Sequence, residues 1–431
     1  MITTLLKSIW KREFLRHLSF SLTGTAAGQF IVLLGTLLPV MSLYDAGAIG
    51  DYGIFFSISL ILALVATGRY EMVIPIAGDE RTASALVPLA GGLGVCTAVL
   101  TTIVLAVWTP PWLAELGWAI WLLPIQIVLG SWANTLRLWL SCRSRFDRIA
   151  FAEIARAATM IGLQWGLASQ FDSGPVGLVV GFTGGWAMYV VVTGCGSGAL
   201  ASWQGWGDSR RAAVMYSHNL FLLLSQSINA CSAYAPIFFF RGMFSEAVAG
   251  FFFITLTFLY KPLAFLGQSV QQVFFPVAAR QVAQGGQCGR LFNQVVAGLF
   301  LAGICIFLPI SVLAPWLLEW VSTIVDDEPG KWSGAGAMIT VLAPFCIVKL
   351  LSSVVVGMWI IAGRQAWDVA WQVIFLAAVL GGLSVGWSSG DPMASVWGYA
   401  ITTTIAFAIN LACCWFFARG HGHRVATAPA G

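Results

Sequence analysis

The chain has 431 residues, of which 58% are hydrophobic and only 9% charged, with a net charge of +4 and a mean hydropathy of +0.84. A soluble domain carries roughly a quarter charged residues, and even a large globule keeps a mostly polar skin, so a soluble enzyme, a nucleic-acid binder and a disordered scaffold are excluded. The strands of an outer-membrane barrel alternate apolar and polar residues over about ten positions, whereas the apolar runs here exceed about twenty, which leaves an all-α polytopic membrane protein.

A basic N-terminus (Lys7, Lys11, Arg12, Arg16) opens the chain. The apolar run after it, 18–42, is too long for a signal-peptide core and lacks a small-residue cleavage site, so it is predicted to be an uncleaved first span. A membrane helix needs about 20 apolar residues. Further stretches that meet this are 52–77, 84–108, 117–140, 150–170, 176–199, 213–239, 247–270, 293–314, 335–361, 369–388 and 394–417, giving about twelve spans. The region 293–325 leaves room for an extra interfacial helix. A polar segment, 200–213, carries Arg210 and Arg211 and links a first six-helix lobe (1–199) to a second (214–431) that ends in a short polar tail with His421 and His423.

Twelve spans put both termini on one side. With the termini inside, the interior holds Lys7, Lys11, Arg12, Arg16, Arg81, Arg143, Arg145, Arg148, Arg210, Arg211, Arg280, Arg290, Arg364, Arg419 and Arg424, and the exterior holds only Arg241 and Lys331. Basic residues concentrate on the cytoplasmic face of membrane proteins, so both termini are expected in the cytoplasm. The longest external loop, 321–334, is short and carries Asp326, Asp327 and Glu328. No loop has room for a soluble domain, so the function is expected inside the helical bundle.

The halves show a weak internal repeat. Tyr44 to Ala77 lies over Ser245 to Ala278, so that Asp45 meets Glu246, Glu71 meets Gln272 and Pro75 meets Pro276. Pro111 to Glu115 meets Pro315 to Glu319, and Arg143 to Asp147 meets Arg364 to Asp368, each at the same place in the span order. A repeat of six spans keeps both halves in one orientation, related by an axis along the membrane normal, with a binding site expected between them near the midplane.

Charge near the bilayer centre is costly, by about 2.5–3.5 kcal/mol on insertion scales, and marks a cavity, a partner or a substrate. Lys349 and Lys261 fall near the midplane of their spans, and Arg69 lies within span 2 toward its inner edge. None has an evident carboxylate partner deep in the bilayer, because the spans hold only Glu71 and Glu153, both toward the inner side. A cavity lined by such cations attracts an anion such as a pyrophosphate. Arg137 and Arg156 also fall within spans, but Arg137 can snorkel to the interface and Arg156 can pair with Glu153 one turn away.

Polar stripes accompany these cations. His218, Ser225, Asn229 and Ser232 share one face of span 7, and Thr257, Lys261, Gln268 and Gln272 share one face of span 8. Span 1 offers Ser21, Thr23, Thr25 and Gln29 among Gly24 and Gly28, a pattern that also serves close helix packing. The candidate substrate-binding set is therefore Arg69, Lys261, Lys349, Gln29, His218, Ser225, Asn229, Gln268 and Gln272. The 9 cysteines have no CxxC or Cys/His spacing and read as small hydrophobes, so neither a metal site nor a disulfide framework is expected. No catalytic constellation or P-loop is visible, so neither an enzyme nor a cofactor is expected.

Four segments resemble Wzx-type polysaccharide flippases of the multidrug/oligosaccharidyl-lipid/polysaccharide (MOP) exporter superfamily. They are LYDAGAIGDYGIFFSI entering span 2, TGRYEMVIPIA ending it, RSRFDRIAFAEIAR between spans 4 and 5, and SVQQVFFPVAAR ending span 8. The resemblance implies a V-shaped bundle working by alternating access in the bacterial inner membrane. The cargo would be an undecaprenyl-pyrophosphate-linked oligosaccharide, moved from the cytoplasmic to the periplasmic leaflet for surface polysaccharide assembly. Its cationic cavity would be lined by spans 1, 2, 7 and 8, which carry Arg69 and Lys261. The lipid-linked anionic oligosaccharide, the surrounding membrane lipids, and the polysaccharide polymerase with its chain-length machinery would be the partners. The alternatives are a lipid II-type flippase and a cation-coupled multidrug exporter of the same superfamily; the exporter requires membrane carboxylates, which spans 1, 7 and 10 lack.

Overall fold

The computed structural model describes residues 40–77, 79–143, 145–168, 174–195, 206–215, 219–285, 287–325 and 330–420, and every element among them is helical. Residues 18–39 of the predicted first span, with Gln29, and His218 of the predicted span 7 lie outside the described residues. The chain forms α1 (Ala46–Ala66), α2 (Glu80–Val107), α3 (Leu122–Cys142), α4 (Phe146–Ala168) and α5 (Pro175–Gly194). A short helix α6 (Trp206–Met215) follows, and then α7 (Asn219–Met243), α8 (Glu246–Gly285), α9 (Gly289–Val325), α10 (Ser333–Val355), α11 (Gln365–Ser389) and α12 (Pro392–Ala418). Nine helices among the described residues are long and apolar enough to cross a membrane. Two more, α4 and α7, have spanning length with 23 and 25 residues and carry polar faces. The chain is a multi-pass membrane protein.

Loop-to-loop contacts fix the alternation of the helices. At one end, Lys331 pairs with Asp45 at 3.2 Å, and Arg241 reaches Glu115 at 2.6 Å and Glu246 at 3.2 Å. This end, with Asp45, Glu115 and Glu246, is termed the acidic end. At the other, Arg143 pairs with Glu80 at 2.7 Å, Arg81 with Asp208 at 2.6 Å, and the Cys288 N–H donates to the Ala418 carbonyl at 2.8 Å. This basic end also carries Arg145, Arg210, Arg211 and Arg364.

Three predicted boundaries are corrected. Span 2 was expected over 52–77, but α1 begins at Ala46 and stops at Ala66. Gly68 (φ 58°) and Arg69 (φ 61°) are both left-handed and turn the chain into a 3-10 helix, Tyr70–Ile76. Span 8 was expected over 247–270, but α8 runs for 40 residues. At about 1.5 Å per residue that is roughly twice the thickness of a hydrocarbon core. Hydropathy falls at Gln268, Gln271 and Gln272, yet Gln is a good helix former, so the helix outlasts the apolar run. Span 9 continues without a break through Pro309 and Pro315 to Val325, so the region 293–325 holds no separate interfacial helix.

Helices α2–α5 pack mainly on one another and on α1, which also packs on α7 and α8, and α7–α12 form the second half. The halves meet where α1 runs against α8. At this crossing the backbones touch. A Cβ on Gly50 would collide with the Glu246 carbonyl, and one on Gly250 would collide with the Ala46 carbonyl. Small residues allow such close approach between membrane helices, and a backbone atom cannot yield as a side chain can. Gly250→Ala is therefore expected to destabilise the folded protein by about 1–3 kcal/mol, as overpacking does. Thermal unfolding of the purified protein checks this against Gly242→Ala, since a Cβ on Gly242 meets nothing within 4 Å.

Candidate functional site: a central cavity between the halves

A cavity of about 270 Å³ lies between the two halves. The first half supplies Ile49, Tyr52 and Phe56 from α1, Arg156, Met160 and Gln164 from α4, and Phe182 from α5. The second supplies Tyr234 and Ile237 from α7, and Phe253, Thr257, Tyr260 and Lys261 from α8. One wall is an aromatic cluster. Phe56 lies 5.2 Å from Phe182, 5.3 Å from Phe253 and 6.2 Å from Tyr234 between ring centroids. Tyr52 meets Phe253 edge-on at 5.4 Å, one of the arrangements that aromatic pairs favour.

Among the described residues, the cavity lining has one cation from each half. Lys261 makes no ion pair among the described residues. Arg156 donates to Glu153 at 2.9 Å and its guanidinium lies 5.1 Å from the centroid of the Trp186 ring. Glu153 is half-exposed, whereas Arg156 is largely covered, so the carboxylate balances the guanidinium from the cavity's margin. Gln164 adds an amide whose Oε1 is buried with no partner among the described residues, while its Nε2 donates to the Leu178 carbonyl at 3.3 Å.

The structure distributes the sequence-predicted residues over several places. Lys261 lines the cavity. Lys349 does not: it sits behind Tyr260 in the second half, with Nζ 3.8 Å from that ring's centroid and 5.7 Å and 5.8 Å from those of Phe345 and Phe407. Such a cage of rings holds a cation by its π faces, and Tyr260 separates it from the cavity. Ser225 and Asn229 join helices within the second half. The Ser225 hydroxyl donates to Asp368 at 2.8 Å, and the Asn229 amide donates to Gln372 at 2.9 Å. These two rungs tie α7 to α11, and neither residue lines the cavity. Gln268 is exposed on α8 and also lies outside the lining, and the side chain of Gln272 lies outside the described residues.

Arg69 corrects the reading of an unpaired cation. It is 8% exposed and its Nη1 lies 3.2 Å from Glu71 Oε1. Residues two apart on a helix do not face each other, so a span continuous to 77 would keep these two separate. The left-handed turn at Gly68 and Arg69 brings them together. Arg69 does not line the cavity.

Sequence reasoning explained Arg156, within its span, by a pair with Glu153 and so missed it as a lining residue. Its signal was present: Arg156, Met160 and Gln164 follow at four-residue intervals on one face of α4, and that face lines the cavity.

At the acidic end, Arg241 is the hub of a cross-half cluster. Its Nε donates to Asp51 Oδ1 at 2.8 Å, its Nη2 to Glu115 at 2.6 Å and its Nη1 to Glu246 at 3.2 Å. Asp51 and Glu115 belong to the first half, Arg241 and Glu246 to the second. With the Gly50–Gly250 crossing and the Lys331–Asp45 pair, this cluster holds the halves together at that end.

No family model and no curated protein matches the sequence. Solved structures do match in fold. A multidrug resistance MATE family transporter of the MOP superfamily, in an inward-facing conformation, superposes with a TM-score of 0.71 at 14% identity, over 90% of this chain and 93% of that one. The lipid II flippase MurJ, in an inward closed conformation, gives 0.67 at 12% identity, over 91% and 86%. A Vibrio cholerae MATE transporter, VcmN, gives 0.57 at 15% identity, over 93% and 97%. The chain thus has the two-halves fold of MOP-superfamily transporters.

Proposed function

We propose that this protein is a flippase that carries undecaprenyl-pyrophosphate-linked oligosaccharide from the cytoplasmic to the periplasmic leaflet of the bacterial inner membrane by alternating access. The observation that carries the reading is the pair Arg156 and Lys261, one cation from each half facing a single cavity. Arginine grips a phosphate through a planar fork and lysine acts as a point charge, so the pair suits the two phosphates of a pyrophosphate. The aromatic wall offers flat apolar surface beside that grip. The cavity is slightly below the size range of ordinary ligand pockets, so a glycan would extend from it toward the basic end. That end faces the cytoplasm by its basic residues, which fits loading from the inner leaflet while the acidic end is closed.

A lipid II-type flippase is the second reading, supported by the likeness to MurJ and by the same headgroup chemistry. A cation-coupled multidrug exporter is less well supported, because among the described residues the lining of the cavity contains two cations and no carboxylate. Proteoliposomes bearing the purified chain decide among the three when loaded in turn with a fluorescent lipid-linked oligosaccharide, lipid II and a cationic dye. Translocation of the first, with little of the others, is the expected result. Export of the dye alone would overturn the flippase reading, and translocation of lipid II alone would move the chain to the second.

A further inference from the structure

Helix α6 has one face committed to the protein and one face left open. On the committed face, Asp208 accepts from Arg81 at 2.6 Å, the Ser209 hydroxyl donates to the Ala85 carbonyl at 2.9 Å, and the Ala213 carbonyl accepts from the Tyr70 hydroxyl at 3.2 Å. Ala212 is buried between them. These partners belong to the first turns of α2 and the 3-10 helix after α1, where both leave the membrane at the basic end. The docking therefore holds α6 at the level where hydrocarbon gives way to headgroups.

The open face is Gly207, Arg210, Arg211, Val214 and Met215, spaced as one helical stripe and lining a shallow groove of about 660 Å³. Val214 is 71% exposed and Met215 64%. Arg210 and Arg211 are exposed and make no ion pair among the described residues; the acid nearest them in sequence, Asp208, is engaged by Arg81. None of the five residues lines the central cavity. Two guanidiniums beside two exposed apolar side chains, at the membrane boundary, are the elements of an interfacial helix. Such a surface places its cations on anionic headgroups and its apolar side chains at the acyl boundary.

We propose that the open face of α6 is a docking surface for anionic phospholipid of the leaflet at the basic end, with Arg210 and Arg211 on the phosphates and Val214 and Met215 among the upper acyl carbons. Lipid engaged there would pin the linker, and the first half through Arg81, Ser209 and Tyr70, to the membrane surface while the second half moves. The surface is independent of the cargo assigned to the cavity.

Hydrogen exchange on the full chain tests this in nanodiscs of phosphatidylcholine alone or with phosphatidylglycerol. The peptide covering 206–215 is expected to exchange about thirtyfold more slowly with phosphatidylglycerol present, the effect of two basic residues near an anionic surface. The Arg210→Gln/Arg211→Gln variant is expected to lose that difference, while peptides from α2 and α10 keep wild-type exchange and so report an intact fold. Equal exchange of the wild type in both lipids would overturn the proposal, as would protection that survives in the variant. Inorganic phosphate or an isoprenyl diphosphate reproducing the protection in phosphatidylcholine discs would also overturn it, assigning the face to a free anion or to the cargo.

Discussion

Replacing Arg241 with methionine is expected to open the acidic end and to lower transport by at least about tenfold. Asp51 is 5% exposed, and Arg241 holds it at 2.8 Å. Removing one partner of a buried ion pair leaves an uncompensated charge and costs roughly 3–5 kcal/mol. Here the loss is larger in kind, because Glu115 and Glu246 converge on the same guanidinium and would then repel each other and Asp51. The penalty falls on one state. When the halves part at this end Asp51 can hydrate, so only the closed arrangement is raised in energy. A ligand or mutation shifts a conformational equilibrium by its differential effect on the two states, and 3–5 kcal/mol is a shift of about two to four decades. Hydrogen exchange should therefore quicken at the start of α1 and the start of α8 in Arg241→Met, with α12 unchanged.

The charge balance makes a second variant informative. Asp51→Asn leaves Arg241 with Glu115 and Glu246, and its effect should be mild. The double variant Asp51→Asn/Arg241→Met removes the buried charge together with its partner, so it should recover part of the closure that Arg241→Met loses. This non-additivity is what a shared pair predicts. Wild-type exchange and transport in Arg241→Met would show that the Gly50–Gly250 crossing closes this end without the cluster.

Much of the architecture was legible because lipid imposes a simple rule on sequence. Runs of apolar residues located most of the membrane helices, and the few charges outside them marked the two ends. What hydropathy could not give was continuity of backbone. It ended a helix at 270 where α8 continues to Gly285, and it carried one through Gly68 and Arg69 where the chain turns left-handed. That second error hid the Arg69–Glu71 pair, which exists only because of the turn. The linker helix α6 was invisible for another reason: its ten residues bury only a narrow small-residue strip, Ser209 and Ala212, with Ala213 half-buried beside them. The polar stripe on α7 was read from the sequence, but its partners Asp368 and Gln372 sit far along the chain, so Ser225 and Asn229 were assigned to the cavity instead of to α11. Arg156 shows the converse. A carboxylate one turn away looked sufficient to explain it; the face it shares with Met160 and Gln164 was visible in the helix, but that this face meets Lys261 depends on a helix in the other half.

Neutralising the two cavity cations is expected to abolish transport without unfolding the protein. A hydrogen bond to a charged group contributes roughly 1.5–3 kcal/mol, so Lys261→Gln and Arg156→Gln should each weaken capture of a pyrophosphate headgroup by about ten- to a hundredfold. The loss should appear first as a higher half-saturating cargo concentration in the proteoliposome assay. The double variant should fall below either single one, because the charges come from different halves and grip the same anion. Lys261→Arg keeps the charge and should retain most activity. Lys349→Met separates cavity from cage: Lys349 lies behind Tyr260 and outside the cavity lining, so this change should leave the half-saturating concentration near that of the wild type. The position of the cations also links capture to movement. While the cavity is empty, two like charges oppose each other across the gap between the halves, with Glu153 ion-paired to Arg156. An anion bound between them turns that repulsion into attraction, and so favours closing the basic end only once cargo is loaded. In Lys261→Gln the repulsion is gone, and the empty protein should close at the basic end more readily than wild type. Slower exchange of the basic-end half of α8 in the cargo-free variant would show it, and unchanged exchange with unchanged transport would remove Lys261 from both roles.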